Sequence, residues 1–360
     1  MVFRTLPKAV RLRFTGGILS VKAEAIPDGQ GQERAPLLSI VIPVLNAARD
    51  LRPCLAAIGR QTVGRHVFEV IASDGGSTDD TRAIATDAGA RIVENPYRET
   101  EPGVAVGIQQ ARGELVTVLA ADNWMRGSDF IERMLEPFDD PEVMAAFPRV
   151  VSTSVDSLPN RYVNAYTDPF THFVYGSART AFDVMREHAV LSEGRRHATL
   201  KTSVKYHPLL ALAQGCTVRR RALQRPAERA DDVMAIVDIV RSGGKLALVP
   251  GAELEHHHVA GLRSFYRKYR YRVSVALQPR QGYLRRRSSL SLSRRLRAWI
   301  WLPYSATLIP PVVHGLAMSV RRRDPLLLYH PVLNTVLLAA VCREAVARGR
   351  QTVASVRRRG

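Results

Sequence analysis

From Leu37 onward, short apolar runs alternate with amphipathic segments, and this rhythm restricts the chain to strand and helix in turn around a mostly parallel sheet. "LLSIVIPV", "VFEVIAS", "ARIVENP" and "ELVTVLA" read as buried strands. Between them, "AARDLRPCLAAIGRQ" repeats Leu51, Leu55 and Ile58 at helical spacing, and "VAVGIQQA" is predicted to be helical. After the second strand, "DGGSTDDT" carries two glycines and a capping pattern at residues 77–80 that is expected to open another helix. A helix is predicted to begin at Ser128, and "EVMAAFPRVV" reads as a strand. Residues 151–213 lack such periodicity and are rich in Tyr, His, Thr and Asn, which points to a substrate-facing insertion and not a second core. Regularity returns with "AQGCTVRR", a helix near "DDVMAIVDIVRSG", and the strands "KLALVP" and "AELEHHH".

A chain of 360 residues with 46% hydrophobic content can bury a core of this kind. Its charge is less ordinary. With 52 Lys and Arg against 33 Asp and Glu, the formal net charge is +19, a bias towards polyanions such as nucleic acid, anionic headgroups or phosphorylated substrates. The excess crowds after Arg263, in "RSFYRKYRYR", "LRRRSSLSLSRRLR", "VRRRD" and "VRRRG", and no nucleic-acid module accompanies it, so no specific nucleic-acid partner is expected. Three cysteines without CxxC spacing fit a reducing compartment and offer no zinc site. Residues 1–36 read as a loosely ordered lead-in with no secretory signal.

Two apolar stretches, residues 299–320 and 325–342, follow the basic segment. As helices they would reach roughly 33 Å and 27 Å, near the thickness of a bilayer core. Pro303, Pro310 and Pro311 would break the first, and the connecting "RRRD" leaves positive charge on both sides. Helices lying in one leaflet of an anionic membrane surface, with arginines on the headgroups, are the expectation; a two-span hairpin is the alternative.

In an open parallel sheet, ligands bind along the edge where strand C-termini gather. Asp74, Asp122 and the pair Asp231 and Asp232 converge on that edge from distant parts of the chain. Each carboxylate could accept a hydrogen bond from a base or sugar, or ligate a hard cation on a diphosphate. Plainer readings stand beside these. Asp74 with Gly75 and Gly76 also reads as a turn, and Asp231 and Asp232 as first-turn acids of a helix.

In order, "LLSIVIPVLNAARDLRPCLAAI", "EVIASDGGSTDDTRAIA", "PGVAVGIQQARGELVTVLAADN", "ADDVMAIVDIVRSGGKLALVPGAELEHH" and "LRSFYRKYRYR" resemble the family 2 glycosyltransferases of the GT-A, nucleotide-diphospho-sugar transferase fold. The resemblance covers roughly residues 37–275. It implies an α/β domain over 37–280; within it 151–213 reads as an acceptor-side insertion, and the composition of 281–360 reads as a basic, apolar membrane-associating region. The resemblance further implies that Pro43, Asn46, Asp74 and Gly75 bind the nucleotide, and that Asp122 holds a divalent metal, Mg²⁺ or Mn²⁺. Asp231 and Asp232 match the acidic pair whose second member is the general base. His256 falls near the metal and diphosphate, and of residues 256–258 at most one functional histidine is expected.

The motif that normally ends on this metal ligand reads Ala120-Ala121-Asp122, so its first acid is missing, and Asn123 stands where another acid is common. Weaker metal affinity is expected, or help from His256 and the diphosphate oxygens. The implied reaction is inverting transfer from a nucleotide-diphosphate-sugar, a UDP-sugar first, to a hydroxyl of a lipid-linked or cell-envelope glycan, at the cytoplasmic face of the membrane. The missing acid motivates an alternative, a degenerate member of the fold acting as a binding or scaffold subunit.

Overall fold

The structure, a computed structural model, describes residues 35–175, 190–193, 196–201, 212–223, 232–276 and 292–357. Strand β1 (Leu38–Val44) lies inside the sheet because both of its faces are apolar. Leu38, Ile40 and Ile42 pack against α1 (Ala48–Gly59), which contributes Leu51, Leu55 and Ile58. Val41 faces the other way, towards Val104 and Ile108 of α2′s successor in the chain: after α2 (Thr81–Asp87) comes α3 (Thr100–Gln109), and it carries both residues. A Cβ on Gly107 would meet Val41 Cγ1 at 2.3 Å, so glycine is what lets α3 lie close to the strand.

Strands β2 (Phe68–Asp74), β3 (Arg91–Glu94) and β4 (Leu115–Leu119) complete a parallel run in the order β3-β2-β1-β4. Val44 stands opposite Asp74, and Val41 opposite Val118, so the chain leaves β2 and β4 at the same edge. Past β4 the pairing becomes mixed. The elements there are β5 (Asn123–Met125), α4 (Phe130–Leu135), β6 (Val143–Val151), α5 (Leu158–Tyr166), α6 (Pro169–Tyr175), β7 (Val190–Glu193), β8 (Ala198–Leu200) and β9 (Gln214–Arg219), followed by α7 (Asp232–Arg241) and β10 (Lys245–His256). β9 runs antiparallel to both β4 and β6, and buried hydroxyls of Thr117 and Thr217 meet at 2.7 Å across the first of those pairs. β10 runs parallel to β6 and antiparallel to β8 and β5.

Local details differ from the sequence reading. Ser77 does not cap α2: its hydroxyl donates to Asp74 and accepts from the Asn46 N–H, and Asp79 receives the Thr81 N–H instead. α4 begins at Phe130, two residues after Ser128, whose carbonyl accepts from Thr62. "KLALVP" and "AELEH" are one strand, β10, which ends at His256 and in which Pro250 and Gly251 fall in a register shift against β6 and not in a break.

The remaining helices are α8 (Leu262–Ala276), α9 (Leu292–Ala306), α10 (Ile309–Arg322) and α11 (His330–Arg357). Pro303 lies inside α9, and Pro310 and Pro311 sit in the first turn of α10, where proline is tolerated; the chain breaks instead at Leu308, with φ 61°. The described part of 151–213 is also more than an insertion. Tyr162 and Tyr166 of α5 are fully buried with Phe265, Tyr269, Trp301, Leu333 and Leu337 in an apolar core shared with these helices. Burial of a large side chain of this kind stabilises by about 1.5–3 kcal/mol, which explains why α5 sits there despite its weak periodicity.

Three histidines line this core. His330 Nδ1 is 2.5 Å from the Tyr162 hydroxyl, its Nε2 is 3.1 Å from the Tyr304 hydroxyl, and His314 Nδ1 is 2.9 Å from the same hydroxyl. His172 Nε2 meets Met318 Sδ at 3.0 Å. Burial, reinforced by the neighbouring imidazoles, pushes His172 down to about 4 and His330 down to about 3. Unfolded, these groups titrate near 6.5, so the unfolded chain binds more protons as pH falls below that value. Stability from the neutral histidines is therefore full above about pH 6.5 and lost towards pH 4. Calorimetric melting between pH 7 and pH 4 is expected to show Tm falling by at least about 5 °C, with a smaller fall in His330→Gln; an equal fall in that variant would place the proton uptake elsewhere.

Candidate functional site

Asp74 ends β2 only 1% exposed, and its carboxylate is fully engaged. It accepts from Ser77 N and Oγ and from Arg82 Nη1 at 2.8 Å. Burial pushes its carboxyl up, but the bonds from Ser77 and Arg82 more than offset this and hold it below the usual carboxylate range. Gly76 takes φ 84°, and Asn46 takes φ 49° while its Oδ1 accepts from Thr78 N at 2.8 Å. The loop after β2 is thus tied to the loop after β1. The turn reading of Asp74 is correct as far as its own bonds go, and the same bonds set Pro43, Asn46 and Gly75 at the strand-end edge. Arg82, which also pairs with Glu94, was not read from the sequence as part of this corner.

Asp122 follows β4, and the three-residue strand β5 then pairs with the end of β10, placing Asn123 opposite His256. The His257 N–H donates to the Asp122 carbonyl at 2.9 Å. This pairing delivers two imidazoles to one carboxylate: His256 Nε2 lies 4.0 Å from Asp122 Oδ1, and His258 Nδ1 lies 3.9 Å from Oδ2. One candidate ligand atom from each of the three residues lies within 4.8 Å of the others. His257 points away, its ring tilted by 40° against Trp124 with centroids 3.9 Å apart, and bonded to Asp156 at 3.2 Å. Two histidines, not one, therefore reach the carboxylate.

Asn123 does not stand in for an acid. Its Nδ2 donates to the Ala213 carbonyl at 2.8 Å, turning the amide away from Asp122. The histidine turn is held from beneath by α5: Asn160 and Asn164 both donate to the His256 carbonyl, at 2.8 and 2.9 Å, and Asn160 Oδ1 accepts from Val259 N. Lys268 of α8 reaches Asp122 Oδ2 at 3.1 Å and the His258 carbonyl at 3.2 Å.

Burial opposes ionisation of Asp122, while His256, Lys268 and Arg272 favour it, and the balance leaves the carboxyl below its usual range. Burial pushes His256 down to about 4, against the pull of Asp122, and pushes His258 further down. Both imidazoles are neutral at pH 7 and keep a lone pair for a cation. The buried Nε2 of His258 has no hydrogen-bond partner among the described residues. One carboxylate and two neutral imidazoles fit a divalent transition ion, and Mn²⁺ suits imidazole better than Mg²⁺ does.

Asp231 lies outside the described residues, and Asp232 is the first residue of α7. His258, Lys268 and Arg272 were not singled out from the sequence. The signals that could have found them are the i+2 spacing of His258 from His256 and the i+4 spacing of Arg272 from Lys268, which places the two cations on one face of α8.

A model of the glycosyl transferase family 2 matches residues 39–225. A PGL/p-HBAD biosynthesis glycosyltransferase of Mycobacterium bovis is 39% identical over 108 residues, covering 28% of this chain and 41% of that protein. The glycosyltransferase AglE of Haloferax volcanii is 30% identical over 93 residues, covering 24% of this chain and 31% of that protein. The chain thus spans less than half the length of these curated relatives. Among solved structures, a mannosyltransferase from Pyrobaculum calidifontis in complex with GDP-Man and Mn²⁺ superimposes with a TM-score of 0.51 at 17% identity, over 86% of this chain and 88% of that one. This last likeness concerns the fold.

Asp122→Ala removes the only carboxylate of the cluster. Titration of Mn²⁺ followed by electron paramagnetic resonance is expected to show affinity falling by more than the roughly tenfold that loss of a supporting group costs. Unchanged Mn²⁺ binding would mean that the ion sits elsewhere.

Proposed function

Because the chain belongs to glycosyl transferase family 2, we propose that it transfers a sugar from a nucleotide-diphosphate donor to a hydroxyl of a lipid-linked or cell-envelope glycan, with inversion. The observation that carries this reading is the Asp122, His256 and His258 cluster at the strand-end edge of the GT-A-like sheet, beside the Asp74 corner. The base and ribose of the donor, a UDP-sugar in the first instance, would lie against Pro43, Asn46, Asp74 and Gly75. Its diphosphate would lie towards Asp122. Asp122, His256 and His258 would hold a divalent cation, Mn²⁺ or Mg²⁺, which when bound offsets charge on the leaving diphosphate.

Asp232 is the general base of this proposal, and Asp231, the residue before it in the chain, is a substrate- or nucleotide-binding residue. Asp232 takes the proton of the acceptor hydroxyl while that oxygen bonds to the anomeric carbon, and the bond from that carbon to the diphosphate oxygen breaks on the opposite face. The alternative, a catalytically silent scaffold, draws on Ala120 and on Lys268 holding Asp122.

The second part of the proposal concerns the membrane. Among the described residues one helix, residues 325–349, is long and apolar enough to cross a bilayer. Its Leu333, Leu337 and Ala340 are nevertheless buried against the protein, and Arg270 of α8 pairs with Glu344 at 3.0 Å. That helix also exposes Leu328, Val332 and Val346, and further apolar surface lies on two other helices. On α10, Ile309, Val312, Val313, Leu316 and Val320 form one stripe at helical spacing, with Ile309 72% and Val320 79% exposed. On α9, Leu292, Leu296, Trp299 and Ile300 form another. Arg295, Arg297, Arg321 and Arg323 flank the stripes, an arrangement that fits an anionic headgroup layer. We place residues 281–360 on the cytoplasmic face of the membrane, lying in the leaflet, with a two-span hairpin as the alternative.

Two outcomes are expected. With purified protein, vesicles carrying acceptor lipid and a panel of UDP-, GDP- and dTDP-sugars plus Mn²⁺, one donor is consumed, and Asp232→Asn lowers kcat at least about 100-fold while nucleotide binding persists. An intact cellular phenotype in Asp122→Ala and Asp232→Asn would favour the scaffold. In flotation with phosphatidylglycerol vesicles, the protein rises with the lipid and Ile309→Asp/Val313→Asp does not; equal flotation of both would remove α10 from the contact.

A further inference from the structure

The cluster at Asp122 contains an unusual balance of charge for a site meant to hold a divalent cation. It has one carboxylate, because Ala120 stands where a second acid is expected, and two imidazoles. Against these, the Lys268 ammonium sits on Asp122 Oδ2 at 3.1 Å and on the His258 carbonyl at 3.2 Å. Arg272 lies one helical turn further along α8, on the same face as Lys268, with its guanidinium over the Tyr269 ring at 5.3 Å. Among the described residues, the carboxylate of the cluster is therefore already paired with an ammonium. A free divalent cation must displace an ammonium and approach a second fixed charge. A diphosphate, by contrast, is drawn to the same place.

We propose that Lys268, backed by Arg272, is the built-in counter-cation of the donor site: it competes with metal for Asp122 in the free protein and turns to the diphosphate when the nucleotide binds. This rests on the donor reading above. The lysine suits such an exchange, because its ammonium is a compact charge on a flexible stem and can change partner without moving the helix. Removal of the first acid and placement of a lysine on the second then belong together. With two carboxylates the site would recruit the metal first and the nucleotide through it; with one carboxylate and a lysine, part of the diphosphate charge is neutralised by the protein itself. Metal binds well only after the nucleotide has drawn the ammonium away.

The proposal makes opposite demands on one substitution. In Lys268→Gln, Mn²⁺ alone, titrated into the full-length protein, binds about tenfold tighter or more, the scale of one charge-assisted hydrogen bond. In the same variant, UDP or GDP titrated in the presence of EDTA binds about tenfold more weakly than to the unmodified protein, and Lys268→Arg restores that binding. A lysine that merely braced α8 would move neither affinity in this pattern. Should Lys268→Gln fail to fold, Arg272→Gln, at an exposed position, carries the comparison: Mn²⁺ affinity rises and EDTA-resistant nucleotide binding falls, each by about threefold. Nucleotide binding that is present in the unmodified protein, abolished by EDTA and unchanged in these variants would overturn the role of Lys268 while leaving the donor reading intact. Failure of the unmodified protein to bind UDP, GDP or dTDP with or without Mn²⁺ would overturn the donor reading, and the proposal with it.

Discussion

Three residues of antiparallel pairing hold the candidate site together. When β5 lies along the end of β10, Asn123 meets His256, the His257 N–H closes on the Asp122 carbonyl, and the side chains on either side of His257 turn towards the carboxylate. Without that pairing Asp122 would be an acid at the end of an apolar strand, and the histidines a basic run on a distant one. The neighbouring contacts follow from it. Asn123 anchors Ala213, Trp124 covers His257, and Asn160 and Asn164 bond to the carbonyl that the pairing presents. Each of these contacts is a hydrogen bond or ring contact at a buried or partly buried position, where an unmade bond is costly.

The two halves of the sheet serve different ends. The parallel half, β3-β2-β1-β4, carries apolar residues on both faces and brings its strand ends to a common edge in register. The mixed half, with β9 antiparallel between β4 and β6 and β10 reaching to β5, lets segments far apart in the chain meet that edge. α5 then links the edge to the C-terminal helices, since the same helix donates to the His256 carbonyl through Asn160 and buries Tyr162 among α8 and α11. The site and the C-terminal helices α8 to α11 are parts of one packed unit spanning residues 36–360.

The parallel half was legible in the sequence because its signals are local. Continuous apolar runs mark buried strands, and the glycine-rich "DGGSTDDT" marks the loop at Asp74, although Ser77 serves that carboxylate and not the helix. The mixed half was less legible. "KLALVPGAELEH" contains Pro and Gly, ordinarily a break, yet it is one strand because β6 can accommodate the shift. Residues 158–175 carry few apolar positions at helical spacing, because their buried faces are made of tyrosine, histidine and asparagine whose polar atoms find partners in other elements. Periodicity counts hydrophobes and cannot see a polar core that is satisfied from a distance.

By itself, the sequence determined the α/β alternation, the two carboxylates at strand ends, the missing first acid at Ala120 and the basic, apolar character of the C-terminal region. These follow from residue type and near-neighbour spacing, which fix backbone preference and the face of burial. Tertiary structure alone decided that Lys268, 146 residues away, would stand on Asp122, and that His258 would join His256 there. It also decided that the most apolar helix would turn only part of its surface inward, through Leu333, Leu337 and Ala340, while α9 and α10 expose their stripes. Such choices depend on which long-range pairings close, and a side chain's partner across 100 residues leaves no periodic trace in the chain around it.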